Sequence, residues 1–498
     1  MGDHNIRDHG AAPDGQTLCT EAFRNAVAAA AAAGGGRVVV PPGQFRSGTV
    51  ELRSGVVLHL EAGAVLLGSP NLDDYVFARG WGWPHDEQVC DVTPWHLVQA
   101  FDSEDVGITG DGAIAGSGPA FWHPDRPHEW AFWVHRDNRR PSPMVHFESC
   151  RRVRVEGVTL RDSAGWTLHL TRCESVRVEG LAIRNTFFGP NTDGMDIHNC
   201  RGVVVHGCDV ATGDDAIAIM GSSHGGPSED IAVSDCVLRT SCVGLRIIGF
   251  DSGARHRRIA AANLLMPRTS RMFDIRSLNG AAIENVRVCN VVGTTNSGWP
   301  INRPFEIVAV DRRNPHTKRH NPEGRGGLVR DVALAGLDTL TDGRGMIVAT
   351  PPHRVEDVTL RDIRMRYAML DDAAVFAASR GERDHALYLP GDHGDARSAN
   401  AAIVAKNVAR LAVRGLEVRW PQYPVSDEWL THQTPNRLIN RGFYEGNEER
   451  IRTGELRATF KVLWGNGLVG GRIDLSGLTD SEGGEPAELT DCSCRLVR

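Results

Sequence analysis

Two short acidic motifs hold the residues of this chain whose types and spacing could do chemistry. They are Asn191-Thr192-Asp193-Gly194 and, further along the chain, Gly213-Asp214-Asp215. Hydrolysis of a glycosidic bond needs a carboxylic acid that protonates the leaving group and a carboxylate that activates water. Asp193, Asp214 and Asp215 supply three such groups, although aspartate is also common in ordinary turns. The elements that carry the two motifs decide between these interpretations.

A repeated strand-and-turn phrase predicts those elements. Two or three alternating apolar residues, a small or polar turn residue and a further strand recur about every 25 residues between residues 155 and 233. This period suits one coil of a parallel β solenoid, whereas a leucine-rich repeat needs a Leu/Asn consensus and a propeller a period of about 40 or more. The phrases begin at Val106, Val153, Val176, Val203, Ile231, Val286, Val332, Val358 and Leu411.

We therefore predict an all-β chain folded as a single parallel β-helix, a solenoid with an N-terminal capping helix and loop insertions. Residues 1–104 would form the cap and the first coils, 105–420 the main β-helix, and 421–498 the C-terminal coils and tail. Asp193 and Asp214 lie 21 positions apart in the chain, close to the repeat period, which predicts that the two motifs lie on neighbouring coils. Neighbouring coils of such a solenoid lie about 4.8 Å apart, so both motifs can face a common groove. At that spacing the catalytic interpretation of the two motifs is favoured over the turn interpretation.

The capping helix is predicted from an alanine-rich stretch near the N-terminus. Thr20 is placed to cap a helix over residues 21–33, and Gly34-Gly35-Gly36 would end it. Such a helix would cover the open apolar end of the first coil and remove an exposed edge.

Insertions interrupt the repeat at about 72–104, 121–144 and 367–406. The first two carry six of the 11 tryptophans, namely Trp81, Trp83, Trp95, Trp122, Trp130 and Trp133. Tryptophans of this kind anchor loops in many proteins, and they also form good walls for a sugar site.

The composition excludes several classes of protein. A net charge of -7 and a pI near 6.3 argue against nucleic-acid binding, which requires a basic face. No apolar run approaches the length of a membrane span, so no membrane association is expected. The N-terminal residues 1–5 show no signal segment, which predicts a cytoplasmic protein, or a secreted one if a leader has been lost.

The 11 cysteines predict neither disulfides nor a metal site. They are scattered through the chain, and those at 150, 173, 200, 208 and 236 fall within the repeats, which is typical of reduced cysteines packed as small apolar residues. Only Cys492 and Cys494 are close in sequence, and no CxxC pair occurs, so zinc is not expected. We predict no metal and no other cofactor.

The motifs and their flanks resemble the polygalacturonase family of right-handed parallel β-helix enzymes, glycoside hydrolase family 28, in its bacterial form. The likeness covers about residues 5–300. The flanking segments that carry it are Asn5-Ile6-Arg7-Asp8-His9-Gly10-Ala11, Val40-Pro41-Pro42-Gly43, Leu66-Leu67-Gly68-Ser69-Pro70, Gly112-Ala113-Ile114 and Trp166-Thr167-Leu168-His169.

The resemblance implies a role for each residue of the acidic motifs. Asp214 would be the general acid, and Asp193 and Asp215 would position and activate the water, which gives inversion at the anomeric carbon. Asn191 would help to orient this cluster.

Two other motifs depart from the family pattern. The family has Gly-His-Gly and Arg-Ile-Lys where this chain has Ser241-Cys242-Val243 and Asp274-Ile275-Arg276, and in the family those cations serve the galacturonate carboxylate. An aspartate that faced a uronate would repel it, so Asp274 is better suited to the hydroxyls of a neutral sugar. Arg246 or Arg276 could still pair with a uronate.

Three further side chains are predicted to contact substrate. Trp166 and His169 belong to the matching segment, and His224 follows the second acidic motif. His224 lies in a Gly/Ser loop, where an ordinary solvated surface residue is an equally good interpretation.

These features favour an inverting, exo-acting glycoside hydrolase that cleaves oligosaccharides or small glycosides and has no nucleic-acid or membrane partner. The substrate would differ from galacturonan if Asp274 has changed the specificity; otherwise the chain would be an exo-polygalacturonosidase acting on pectic oligomers. A polysaccharide lyase that uses Ca²⁺ or a neutral base, and a non-catalytic carbohydrate-binding β-helix, are the alternatives. The oligomeric state stays open.

Overall fold

The computed structural model describes residues 2–78, 92–123, 139–187, 189–296, 302–311, 321, 323–370, 394–426 and 447–498. The chain divides into two compact units, the first formed by Met1–Met220 with His224–Val237 and the second by Gly221–Ser223 with Leu238–Arg498. Large parts of the three predicted insertions lie outside the described residues, as do Trp81, Trp83, Trp130 and Trp133.

The first unit is built from three ladders of parallel strands. Ladder A contains Gly2–Asn5, Gly36–Val40, Val56–Leu60, Gly107–Gly110, Arg151–Glu156, Glu174–Glu179, Arg201–His206 and Ser228–Ser234. Ladder B contains Asp14–Leu18, Gly43–Ser47, Ala64–Gly68, Ala113–Ala115, Thr159–Arg161, Ala182–Arg184 and Asp209–Thr212. Ladder C contains Val50–Glu51, Val98–Phe101, Val145–Glu148, Leu168–Thr171, Met195–His198 and Ile217–Gly221.

The second unit contains two long ladders of parallel strands. Ladder D comprises Arg255–Thr269, Ala282–Thr295, Leu328–Thr341, Arg354–Tyr367, Val408–Arg419, Val469–Asp474 and Arg495–Val497. Ladder E comprises Val243–Gly249, Arg271–Leu278, Arg303–Val310, Gly345–Ala349, Ala401–Lys406, Lys461–Asn466 and Ala487–Thr490.

The other described elements are few. They are one further strand, Val237–Thr240, the helices Thr20–Ala32, Gly394–Ser398 and Glu448–Arg452, and the 3-10 helices Ile6–His9, Leu72–Asp74 and Gly118–Phe121.

The repeated phrases form these strands because each coil buries its apolar residues against the next. Val153, Val176, Val203 and Ile231 occupy paired positions on successive strands of ladder A, and all four are buried. No coil could shield this surface alone, so stacking is what makes the repeat stable. The predicted all-β class with parallel coils is confirmed.

The turn residue that ends each phrase has a backbone requirement. Gly157, Gly180 and Gly207 have φ values of 78°, 62° and 64°, a left-handed region that glycine adopts at no steric cost. Asp235 takes the equivalent place on the next coil with a φ of 56°, which aspartate tolerates better than most residues. The small or polar residue in the phrase therefore turns the chain out of ladder A.

The N-terminal helix forms over Thr20–Ala32, close to its predicted bounds. The prediction that Thr20 caps it is wrong: Cys19 is the N-cap, and the Thr20 hydroxyl accepts a hydrogen bond from the amide of Gly48 at 2.8 Å. Phe23 and Val27 lie on the buried face of the helix, which packs against strands of ladder A. That the helix covers the open end of the core stays a prediction.

The five repeat cysteines named above, Cys150, Cys173, Cys200, Cys208 and Cys236, are buried and unbridged, whereas Cys289 in the Val286 phrase is exposed. Cys150, Cys173 and Cys200 follow successive strands of ladder C, and the amide of Cys173 donates to the Cys200 sulfur at 3.3 Å. They therefore pack as small apolar residues in the interior. Among the described residues, no helix combines the length and the apolar character needed to cross a membrane.

A buried histidine in ladder D predicts a loss of stability in acid. His256 is 1% exposed, and burial lowers its pKa to about 4, whereas an unfolded histidine titrates at about 6.5. Within this window the unfolded chain binds more protons, so stability is lost as the pH falls. Urea titrations at pH 7 and pH 5 should show that His256→Phe removes about 2 kcal/mol of this pH dependence.

Ile283, which is fully buried and pairs with His256 on the neighbouring strand, provides the control because its side chain does not titrate. Ile283→Val should lower both unfolding free energies and leave the difference between them unchanged. Equal pH dependence in wild type and His256→Phe would contradict the assignment.

Candidate active site

The two acidic motifs lie in the turns that lead into neighbouring strands of ladder C. Met195, which follows the first motif, pairs with Ile217, which follows the second. Extending this register backwards by two residues sets Asp193 beside Asp215, and the amide of Gly194 donates to the carbonyl of Asp215 at 2.8 Å. The motifs therefore stand on adjacent coils, one strand spacing apart.

The three carboxylates are largely withdrawn from solvent. Asp193 is 6% exposed, Asp214 7% and Asp215 2%. Charges and hydrogen bonds act more strongly in such an environment than in water, because the effective dielectric constant is lower. The site can therefore hold a charged group and a proton donor at defined places.

Asp214 is held through both of its carboxylate oxygens. Oδ1 accepts from the amide of Asp215 at 2.9 Å, and Oδ2 accepts from Nδ2 of Asn191 at 3.4 Å. Asn191 has a φ of 47°, a left-handed conformation in which asparagine is several-fold enriched among non-glycine residues. In this conformation the side-chain amide of Asn191 reaches the next coil. That Asn191 orients the cluster stays a prediction.

Thr192 joins the two motif turns, a function that sequence reasoning missed. Its hydroxyl donates to the carbonyl of Gly189 at 3.2 Å and accepts from the amide of Gly213 at 3.1 Å. A Cβ on Gly213 would lie 2.6 Å from both the Gly189 carbonyl oxygen and the Thr192 hydroxyl, so this approach needs glycine. The sequence indicates this bridge only weakly: Thr192 supplies a hydroxyl in one motif and Gly213 a glycine in the other, and the two motifs are predicted to lie on neighbouring coils.

Trp166 and His169, two of the predicted substrate contacts, are enclosed. His169 is fully buried, and its ring lies 5.2 Å from that of Trp166 in an edge-to-face arrangement. It also lies 4.9 Å from the ring of His146 and 5.9 Å from that of His198. Trp166 is 5% exposed, so substrate contact by either residue stays a prediction.

Two buried imidazoles of this region, His96 and His146, remain uncharged near neutral pH. Burial lowers the pKa of His146 to about 3, and burial with the neighbouring His146 holds the pKa of His96 well below its ordinary value. The two rings stack at 4.6 Å, which a pair of charged imidazoles would resist.

His224, the third predicted contact, is exposed in the turn between Ile217–Gly221 and Ser228–Ser234. This position agrees with the surface interpretation given above. A substrate contact by His224 also stays a prediction.

In the second unit, Arg246 and Asp274 occupy paired positions on ladder E, and Arg276 lies two residues beyond Asp274. Asp274 is fully buried: Oδ1 lies 3.1 Å from Arg276 Nε, and Oδ2 lies 3.3 Å from Arg246 Nε and 3.5 Å from Arg271 Nη1. Burial alone would raise the pKa of Asp274, but the three guanidinium groups hold it well below its ordinary value.

Glu306 extends this group of charges, and sequence reasoning missed it together with Arg271 and Arg303. Its carboxylate lies 3.0 Å from Arg276 Nη2, 2.6 Å from Arg303 Nη1 and 3.7 Å from Arg271 Nη1. The signal was a phrase repeated on paired strands, Arg271-Met272-Phe273-Asp274-Ile275 and Arg303-Pro304-Phe305-Glu306-Ile307.

We call these residues the arginine cluster: Arg246, Arg271, Asp274, Arg276, Arg303 and Glu306. Four guanidinium groups thus meet two carboxylates. Cys242 also contacts the cluster, because its sulfur accepts from Arg271 Nη2 at 3.3 Å. Asp274 is therefore engaged by arginine side chains, and its expected contact with neutral sugar hydroxyls stays a prediction.

Comparison with known proteins agrees with the motifs. Residues 88–240 match the model of Glycosyl hydrolases family 28. A probable polygalacturonase of Vitis vinifera is 27% identical over 277 residues, which are 52% of this chain and 55% of that protein. An exo-poly-alpha-D-galacturonosidase of Dickeya chrysanthemi is 29% identical over 253 residues, 43% of this chain and 41% of that protein. The resemblance stated from the motifs is confirmed.

Solved structures extend the agreement in fold. A hyperthermoactive exopolygalacturonase from Thermotoga maritima has a TM-score of 0.61 at 21% identity, covering 84% of this chain and 92% of that one. The family 28 exopolygalacturonase of Yersinia enterocolitica has a TM-score of 0.59 at 16% identity, covering 99% and 78%. The chain spans roughly two fifths to one half of the length of the first curated relatives it matches.

The Thr192 bridge yields a prediction about stability. Thr192→Val keeps the shape of the side chain but leaves the amide of Gly213 without this acceptor. Urea unfolding should show a loss of about 1–3 kcal/mol in the free energy of unfolding. Thr192→Ser, which keeps the hydroxyl, should lose less, and equal stability of the Val and Ser variants would contradict the bridge.

Proposed function

We propose that this chain, which resembles glycosyl hydrolases family 28, hydrolyses glycosidic bonds with inversion at the anomeric carbon. The observation that carries the proposal is the placement of Asp193 and Asp215 side by side on adjacent coils, with Asp214 held through both oxygens. The reaction requires one protonated carboxyl group and one charged carboxylate. Carboxyl groups held close together can differ in protonation state, because a charge on one disfavours a charge on its neighbour.

Each carboxylate has one task in the proposed reaction. Asp214 gives its proton to the glycosidic oxygen as the bond to the anomeric carbon breaks. A water molecule attacks that carbon from the opposite face, held by Asp193 and Asp215, and its one released proton passes to this pair of carboxylates. The products are a saccharide with an inverted anomeric hydroxyl and a leaving group that carries the proton of Asp214.

The proposed cleavage takes place at the end of a saccharide chain. Along each strand of ladder C, apolar core residues alternate with side chains of the opposite face. On the strand that follows Asp193 and on the strands before it, this opposite face includes His146, His169, Asp196 and His198, and all four are buried. A polymer could not lie along a face that is covered in this way. The burial therefore supports exo action on oligosaccharides or small glycosides.

A variant of the proposed acid tests the function. Asp214→Asn keeps the size of the side chain but has no proton of suitable acidity to give, so turnover of a susceptible glycoside should fall by about 10²–10⁴-fold. The matched control is Asp162→Asn, at a half-exposed aspartate with a φ of 54° that asparagine can also adopt.

The control should turn over like wild type. Unchanged turnover by Asp214→Asn would remove the proposed acid, and an unsaturated product that absorbs in the near ultraviolet would indicate a lyase. Sugar binding by wild type without any turnover would indicate a non-catalytic protein.

One observation favours an acidic sugar as the substrate. The charge of Asp274 is balanced by arginines, which removes the reason for expecting it to repel a uronate. Arg246 and Arg303 are the partly exposed members of the arginine cluster, at 20% and 12% of their side chains. We propose that the ligand carries a carboxylate. The name of the Dickeya chrysanthemi relative, an exo-poly-alpha-D-galacturonosidase, refers to a sugar of this kind.

Paired substrates test this specificity. Arg303→Met should raise the KM for an aryl galacturonide by about tenfold, the loss expected from one charge-assisted contact, and leave an aryl galactoside unchanged. Arg364→Met, at a half-exposed arginine in ladder D, should affect neither substrate. A wild-type preference for neutral glycosides, with no effect of Arg303→Met, would restore the neutral-sugar interpretation.

A further inference from the structure

Arg140 is a charged side chain in the interior of the first unit that the proposed chemistry does not use. It is fully buried and is among the largest side chains shielded from solvent in the described parts of the chain. Removing a guanidinium group from water is costly, so a buried arginine is retained only where its contacts repay the cost.

The contacts of Arg140 lie at the turns that enter ladder C. One nitrogen, Nη1, donates to the carbonyl of Ala164 at 3.0 Å and to the carbonyl of Pro190 at 3.1 Å. Ala164 precedes the strand Leu168–Thr171, and Pro190 precedes the next strand, Met195–His198. A single guanidinium group therefore links two successive coils at their turns.

The surrounding residues are shaped to admit this side chain. A Cβ on Gly165 would lie 3.1 Å from Arg140 Cζ and 2.3 Å from the Ser142 hydroxyl, so only glycine leaves room there. The Ser142 hydroxyl accepts from the amide of Trp166 at 3.0 Å, and Trp122 Nε1 donates to Ala164 at 2.9 Å. The Ala164 carbonyl thus accepts hydrogen bonds from two side chains, Arg140 and Trp122.

Pro190 connects Arg140 to the acidic motif. It is followed directly by Asn191, whose side-chain nitrogen Nδ2 donates to Asp214 Oδ2 at 3.4 Å. A shift of the Pro190 carbonyl would turn the Asn191 backbone, which is held at a φ of 47°. Arg140 is therefore linked to Asp214 through Pro190 and Asn191.

We propose that Arg140 is a positioning residue that holds Asn191 in place to orient Asp214. This inference rests on the proposed function, in which Asp214 is the acid. The amide of Asn191 is a donor to the carboxylate and favours its charged form, so loss of this contact raises the pKa of Asp214. Because the acid must be protonated, the basic limb of the pH–rate profile then moves to higher pH.

Three variants test the inference in one assay of turnover by folded protein. Arg140→Met should lower kcat by about 10–100-fold, the cost of a small misplacement, with little change in KM and with the basic limb at higher pH. Asn191→Ala should show the same shift. The double variant should be no worse than the poorer single variant, because both act through one contact.

Arg140→Lys keeps a charged donor and should recover part of kcat, which a variant that only fills space would not do. Arg161→Met, at a half-exposed arginine of the same unit, is the matched control and should behave like wild type. If Arg140→Met does not accumulate as folded protein, Arg140→Lys and Arg140→Gln carry the test through their pH profiles.

The inference would be overturned if the Arg140 variants kept the wild-type kcat and pH profile. It would also be overturned if the fold-losses in kcat of Arg140→Met and Asn191→Ala multiplied in the double variant. Asp214→Asn measured alongside separates the two proposals. If Asp214→Asn is inactive and the Arg140 variants are normal, only the positioning function fails. If Asp214→Asn is active, the proposed function itself fails.

Discussion

In-register parallel pairing along ladder C is the constraint on which the rest of the site depends. The pairing of Met195 with Ile217 and the bond from the Gly194 amide to the Asp215 carbonyl fix two turns at one strand spacing. A slip of one residue would send the side chains of a strand to the opposite face. The apolar residues stacked in the core oppose such a slip. The same strand register therefore determines both the core packing and the placement of the carboxylates.

Charge is distributed differently in the two units. In the first unit, Asp193, Asp214 and Asp215 stand in turns, and the Asp214 carboxylate accepts from a backbone amide and from the side-chain amide of Asn191. In the second, Asp274 and Glu306 are neutralised by arginines in the rows of ladder E. Buried charges require such partners, since isolated ones would shift their pKa or unfold the chain. Asp274 is thus matched by arginines on its own and a neighbouring strand.

Sequence reasoning succeeded where a local pattern reports directly on burial. Alternating apolar residues predicted the strands of ladder A, and the motif spacing predicted adjacent coils. It failed where contacts depend on residues far apart in the chain. Thr20 suits a cap by type, yet its hydroxyl serves the amide of Gly48. Arg140 lies outside every motif, and its link to Pro190 exists only because the coils stack, so no local pattern could have revealed it.

The stereochemistry of the first product tests the central claim most directly, namely that these three aspartates split a glycosidic bond by direct attack of water. Proton NMR can follow the anomeric signal during the first minutes of hydrolysis of an α-linked galacturonide, before mutarotation mixes the anomers. Direct attack of water would release the β anomer first. An α anomer formed first would require a covalent intermediate and would contradict the functions given to Asp193 and Asp215.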